Sequence, residues 1–203
     1  MNNLRRSTGK GSRASGRDLA RTSRLAAFWA FAYGVYRWYY ALGGTIGKLG
    51  TPHSHDDWVR INAIAGVLLF AAALLPLLFL RAWRYRRAQP FLLAIAWIIA
   101  VGCSTHALIG IPQRLASLAG VLTIEYPFWR SIDERAADLQ ALFFNEPWFL
   151  VEGALWGAIA WAGALRESPR RTWWIGSAVG AIVVLTAVGL LSAFGVIGRW
   201  VVG

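Results

Sequence analysis

Hydrophobic positions in this chain come in long runs rather than on faces. A helix needs about 20 mostly apolar residues to cross a bilayer. Five stretches approach or exceed that length: 25–42, 58–80, 91–110, 147–165 and 173–197. Alternation of apolar and polar positions is weak in all five, which disfavours strands. The second and fifth runs lack the polar face that helices of a soluble bundle keep. The pattern predicts an all-α integral membrane bundle of five helices.

Charge sets an orientation for this bundle. The 203 residues are 57% hydrophobic and 15% charged, below the roughly 25% of average soluble domains, yet the net charge is +11. Fourteen basic residues share alternate connections: Arg5, Arg6, Lys10, Arg13, Arg17, Arg21 and Arg24; then Arg81, Arg84, Arg86 and Arg87; then Arg166, Arg170 and Arg171. Only Lys48, Arg114, Arg130, Arg135 and Arg199 fall on the opposite side. The positive-inside rule then predicts a cytoplasmic N-terminus, an outside C-terminus and a multi-pass protein of the bacterial inner membrane. The basic excess reads as orientation and attraction to anionic lipid, with no nucleic-acid partner expected. Trp38, Tyr39, Tyr40, Trp58, Trp148, Trp173, Trp174 and Trp200 fall at run ends, as interfacial anchors do. Trp97, Trp156 and Trp161 lie deeper and require packing partners. Residues 1–24, rich in Ser, Gly and Arg, read as a disordered basic cytoplasmic tail ahead of a transmembrane domain over 25–203.

The connections carry some chemistry of their own. Gly43-Gly44 and Thr51-Pro52 supply turns. Between them and the second run, His53, His55 and Asp56 form a His-x-His-Asp sequence able to hold a divalent metal, with His106 or Glu146 to complete it. The competing reading is a solvated turn in which Asp56 caps the second helix. No other cofactor is expected. Residues 111–146 are too many for a mere connection. Ser131 to Glu134 resembles a capping box, and Ile132, Ala136, Leu139 and Phe143 follow at helical spacing. This predicts a short amphipathic helix in the third-to-fourth connection. Gly153/Gly157 and Gly176/Gly180 have the spacing of close helix contacts in lipid. Pro76 is expected to kink the second run, and Glu146-Pro147 suits a helix start.

Ionisable groups inside the runs are costly and therefore informative. At 1.5 Å per residue, Arg37, Arg60, His106 and Glu152 come roughly 3–8 Å below the outer surface, on four different runs. Asn62 and Thr105 reach similar depth. A carboxylate has a short stem, so Glu152 needs Arg37, Arg60, His106 or a proton. Two readings meet that need: a salt bridge stapling helices, or a polar pocket open to the outside.

The stretch from Tyr36 through Arg37, Trp38, Tyr39 and Tyr40 to Gly47 resembles the first-helix signature of a bacterial family of small multi-pass membrane proteins of unknown function. The segment Glu146-Pro147-Trp148-Phe149-Leu150-Val151-Glu152-Gly153 resembles its later signature. That resemblance implies architecture and no activity. Helix count and the kinds of polar residue also give a looser likeness to five-helix sterol isomerase-like proteins.

These readings lead to three expectations. In the first, the outer pocket binds or converts a lipid or isoprenoid. Glu152 and His106 would serve as acid and base, Arg37 and Arg60 as anion anchors, and Asn62, Trp38, Trp148 and Glu146 as further ligand contacts. In the second, the chain is a structural or accessory protein, with its charges as staples and its long loop for a membrane partner. A small transporter or channel subunit is third, completed by homo-oligomerisation.

Overall fold

A computed structural model describes residues 4–165 and 168–197, with side chains over 16–163 and 168–197. Arg166, Arg199, Trp200 and the side chains of Arg5, Arg6, Lys10 and Arg13 lie outside this description. The described chain is mostly helical: α1 (Leu4–Ala41), α2 (His55–Ala82), α3 (Gln89–Leu118), α4 (Glu134–Gln140), α5 (Glu146–Ala160) and α6 (Arg171–Ala193). α2, α3 and α6 are long and apolar enough to cross a membrane.

Local chemistry explains the boundaries. Gly43 takes φ of +90° just after α1, a conformation open to glycine. The N-cap of α2 is Ser54 rather than Asp56: its hydroxyl accepts from the Asp57 N–H at 3.1 Å, leaving Asp56 and Asp57 in the first turn. α2 runs unbroken through the buried Pro76. Pro90 opens α3, and Gln89 Nε2 donates to the Trp83 carbonyl across the α2–α3 turn.

Three departures from the sequence reading follow from packing. First, α1 begins at Leu4, so residues 4–24, expected as a disordered tail, continue the helix. Leu19, Ser23, Ala26, Ala30 and Tyr33 recur at helical spacing and are all buried. One packed stripe outweighs the polar composition around it. Second, α3 extends to Leu118, and α4 passes into α5 through a π-helical turn at Ala141–Asn145. There the Glu146 N–H reaches back to the Ala141 carbonyl, and Pro147 has no N–H to continue the regular ladder. The expected loop over 111–146 is therefore largely helix. Third, the described chain is not purely α. Gly50–Pro52 (β1) pairs antiparallel with Trp129–Ile132 (β2), and a Cβ at Gly50 would overlap the Ser131 carbonyl.

The amphipathic helix exists as α4, with two corrections. Its cap is Asp133, whose carboxylate accepts from the Ala136 N–H, rather than Ser131. Its buried positions are Ala137 and Asp138, while Leu139 and Phe143 are exposed. A polar anchor, described below, sets that rotation.

The apolar core lies toward one end. Leu19 and Ala26 of α1, Phe79 and Trp83 of α2, Leu92, Leu93 and Ala96 of α3, and Trp156, Ile159 and Ala160 of α5 pack together. That gathers the N-terminal part of α1, the α2–α3 turn and the C-terminal part of α5. The arginines of these segments therefore share one end of the bundle. Gly153 packs on Ser104 of α3, but Gly157, Gly176 and Gly180 meet nothing within 4 Å, so the four-residue spacing of small residues makes a close helix contact at Gly153 alone of the four. α6 has no buried residue and rests on α3, with Trp97 Nε1 donating to Ser177 Oγ. Trp156 is buried, and Trp161 begins a second π-helical turn, Trp161–Leu165.

Candidate functional site

At the other end, α1, α2, α3, α4 and the β1–β2 pair surround a cavity of ≈ 240 Å³. Three cations line it: Arg37 from the last turn of α1, Lys48 from the α1–α2 connection and Arg114 near the end of α3. Tyr36, Tyr40, Trp58, Tyr126 and Trp129 supply aromatic walls, and Gln140 and Asn145 supply amides. No acid lines it among the described residues.

Each cation is held differently. Arg114 donates to Asp138 Oδ1 at 3.0 Å. That buried carboxylate also accepts from Tyr126 Oη at 2.9 Å and Ser117 Oγ at 2.6 Å. This four-residue network turns α4 so that Asp138 faces α3. Burial, with the hydrogen bond to Asp138, pushes the Tyr126 phenol up to about 12 against the lowering influence of Arg114. Arg37 has only neutral partners: it donates to Asn62 Oδ1 at 3.3 Å and Tyr33 Oη at 3.2 Å, and its buried Nε has none. Asn62 is itself fixed by donating to the Trp58 carbonyl. Lys48 lies 5.6 Å over the Trp58 ring. Asp138 offsets Arg114, so Arg37 and Lys48 leave the cavity with two unbalanced positive charges.

The mouth is ordered by short polar links. Tyr40 Oη donates to the Ile46 carbonyl, and Gln140 Nε2 donates to Tyr36 Oη. The β1–β2 pair adds a strap between the two connections that border the cavity.

The four ionisable groups expected in one layer do not converge. Arg37 lines the cavity, and Asn62, fully buried, holds it without lining the cavity itself. His106 is half-exposed and lies 3.6 Å from Glu146, with Phe149 against its ring. Glu146 is buried at the head of α5, where a Cβ at Gly110 would overlap its carboxylate. It sits in the first turn of α5, where its charge complements the helix N-terminus. Glu152 stands apart from all of these. Its Oε1 accepts from Trp156 Nε1 one turn along the same helix, at 2.7 Å, and among the described residues no arginine pairs with it. Arg60 is largely exposed and paired with Asp57 at 2.6 Å.

The remaining expected contacts lie elsewhere. Trp38 packs against Gly66 and stacks with Phe70. Trp148 stacks on Trp29 at 3.9 Å, and its carbonyl accepts from the Trp29 indole. His53, His55 and Asp56 are exposed around the start of α2, with the His53 N–H donating to the Phe128 carbonyl. Among the described residues no group of three or more His, Cys, Asp and Glu side chains is placed to hold a metal.

Lys48, Arg114, Tyr126, Asp138 and Gln140 were not singled out from sequence. Lys48 and Arg114 registered only as loop charges. The usable signal was an acid, Asp138, on a short predicted helix beside a basic loop, but nothing in the spacing pairs it with Arg114.

No protein-family model, curated protein or solved structure matches this chain.

Proposed function

We propose that the chain is a multi-pass protein of the bacterial inner membrane, and that its outward end binds the anionic headgroup of a lipid or isoprenoid. The observation that carries the ligand reading is the pair of unbalanced cations, Arg37 and Lys48, in one aromatic-walled cavity. An anion there gains charge-assisted hydrogen bonds without displacing an existing carboxylate. The aromatic walls suit the first carbons of an attached chain.

Several features support insertion. Phe28, Leu68, Leu74, Phe91, Ile98, Val179, Val183 and Val184 are all more than half exposed, a mantle far too apolar for water. The basic segments gather at one end of the bundle, as the positive-inside rule requires. In this reading α1 and α5 join α2, α3 and α6 as spans.

A second reading, that the charges only staple the fold, is favoured at Glu152 and Arg60. Each has a local partner and neither lines the cavity, so neither is assigned a ligand role.

The test uses the purified chain in neutral detergent with farnesyl phosphate and farnesol as probes. Quenching of Trp58 and Trp129 fluorescence should saturate with the phosphate and be at least tenfold weaker with the alcohol. Arg37→Gln and Lys48→Gln should each lose about tenfold, the worth of one hydrogen bond to a charged group. Equal binding of phosphate and alcohol, or undiminished binding by both variants, overturns the assignment.

A further inference from the structure

We propose that the basic end of the bundle carries a second site, which takes an anionic phospholipid from the leaflet it faces. Its phosphate lies against Arg21 and Arg24, and one acyl chain lies in the groove between α1 and α2. The inference rests on insertion in a bilayer but not on the cavity at the opposite end.

The first observation is a stripe along α1. Arg17, Arg21, Arg24, Phe28, Phe31 and Val35 follow at steps of four, three, four, three and four, and all are exposed. At 100° per residue they stay within about 40° of one line. The chemistry of this line changes once, from guanidinium to apolar side chain between Arg24 and Phe28. One turn, about 6 Å of rise, separates them. That is the step an amphiphile presents between phosphate and first methylenes.

A groove of ≈ 550 Å³ opens beside the apolar half of the line. Ala27 and Ala73, both buried, form its floor, and Phe28, Leu74 and Leu77, all exposed, form its walls. The Phe31 and Phe70 rings, 5.2 Å apart, close its far end, and Phe70 is held against Gly34. The volume lies within the roughly 300–1,000 Å³ of small-molecule pockets. Beside the polar half, Arg17, Arg21 and Arg24 border a shallow hollow with Ala20 and Leu25.

Charge selects the headgroup. Among the described residues no carboxylate lies within ion-pair distance of Arg21 or Arg24. Asp18 borders Arg21, and the facing end of α5 and the π-helical turn after it contribute Ala158, Trp161 and Ala162, none of them charged. An acidic peptide or a nucleic acid could satisfy the arginines, but neither would fill an apolar groove that begins one turn away. A phospholipid does both at once.

The experiment measures thermal shifts of the purified full chain in neutral detergent, titrated with dioleoyl phosphatidylglycerol or dioleoyl phosphatidylcholine. Phosphatidylglycerol should raise Tm saturably, and phosphatidylcholine should not. Arg21→Gln combined with Arg24→Gln should weaken the apparent affinity roughly 25-fold, equivalent to about 1 kcal/mol per arginine at a membrane surface. Ala71→Phe, at the groove edge, should weaken phosphatidylglycerol but leave glycerol phosphate unaffected. Raising NaCl tenfold should weaken the parent several-fold, a readout that needs no variant. Arg37→Gln should retain the full shift. Equal responses to the two lipids, or an undiminished shift in the double arginine variant, overturns the proposal. So does a shift lost in Arg37→Gln alone, which would assign the effect to the outer cavity.

Discussion

Asp138 is the most exacting place to test the account of the outer end. Its carboxylate is buried and accepts three hydrogen bonds, from Arg114, Tyr126 and Ser117. Asp138→Ala strands a mostly buried guanidinium and removes the acceptor from two hydroxyls. Breaking a buried pair by removing one member costs about 3–5 kcal/mol, and each neutral hydrogen bond is worth about 1 kcal/mol net. The hydroxyls can recover some of this through water, so the expected loss is about 4 kcal/mol. For a chain of this length that is a fall in Tm of roughly 8–16 °C, read by circular dichroism in detergent. Replacing both members, Arg114→Leu with Asp138→Leu, removes the stranded charge and should restore at least half of the loss. In the milder Asp138→Asn, the extra positive charge in the cavity should strengthen farnesyl phosphate binding even as Tm falls. A variant Asp138→Ala within about 0.5 kcal/mol of the parent, or a double variant no better than the single one, would refute the reasoning.

Other outcomes follow from the same geometry. Gly110→Ala should cost about 2 kcal/mol by crowding the Glu146 carboxylate, and adding Glu146→Ala should recover most of it; failure to recover would count against that contact. Glu152→Gln should leave farnesyl phosphate binding within twofold of the parent, since Glu152 does not line the cavity, and a tenfold loss would bring it back into the site. Tyr126 should ionise near pH 12, so subtracting the 295 nm titration of Tyr126→Phe from that of the parent should show almost no phenolate at pH 10 and one appearing toward pH 12; a full phenolate in the difference by pH 10.5 would refute this.

The helices were legible because long apolar runs leave little else for the backbone to do. Charge along the connections likewise predicted which ends would gather. The start of α1 was not legible: composition reports solvation, while Leu19 is fixed in a core that includes Trp156, Ile159 and Ala160 of α5, far along the chain. The strand pair was hidden for a similar reason, since three or four residues with no alternation carry no period. At the site, depth alone put Arg37, His106 and Glu152 in one slab, but depth has no azimuth. Helix rotation sends Glu152 toward Trp156 and His106 toward Glu146, while Arg37 turns to the cavity. Lys48 and Arg114 were visible as charges, but their convergence depends on the packing of segments far apart in the chain, which spacing does not report.

The strand pair also ties together distant parts of the chain. β1 follows α1, while β2 comes only after α3, so α2 and α3 both lie within the loop that their pairing closes. Joining segments this distant in the chain is entropically expensive and comes late. In the proposed reading, the wall that Trp129 and Ile132 give the cavity is completed only when this loop closes.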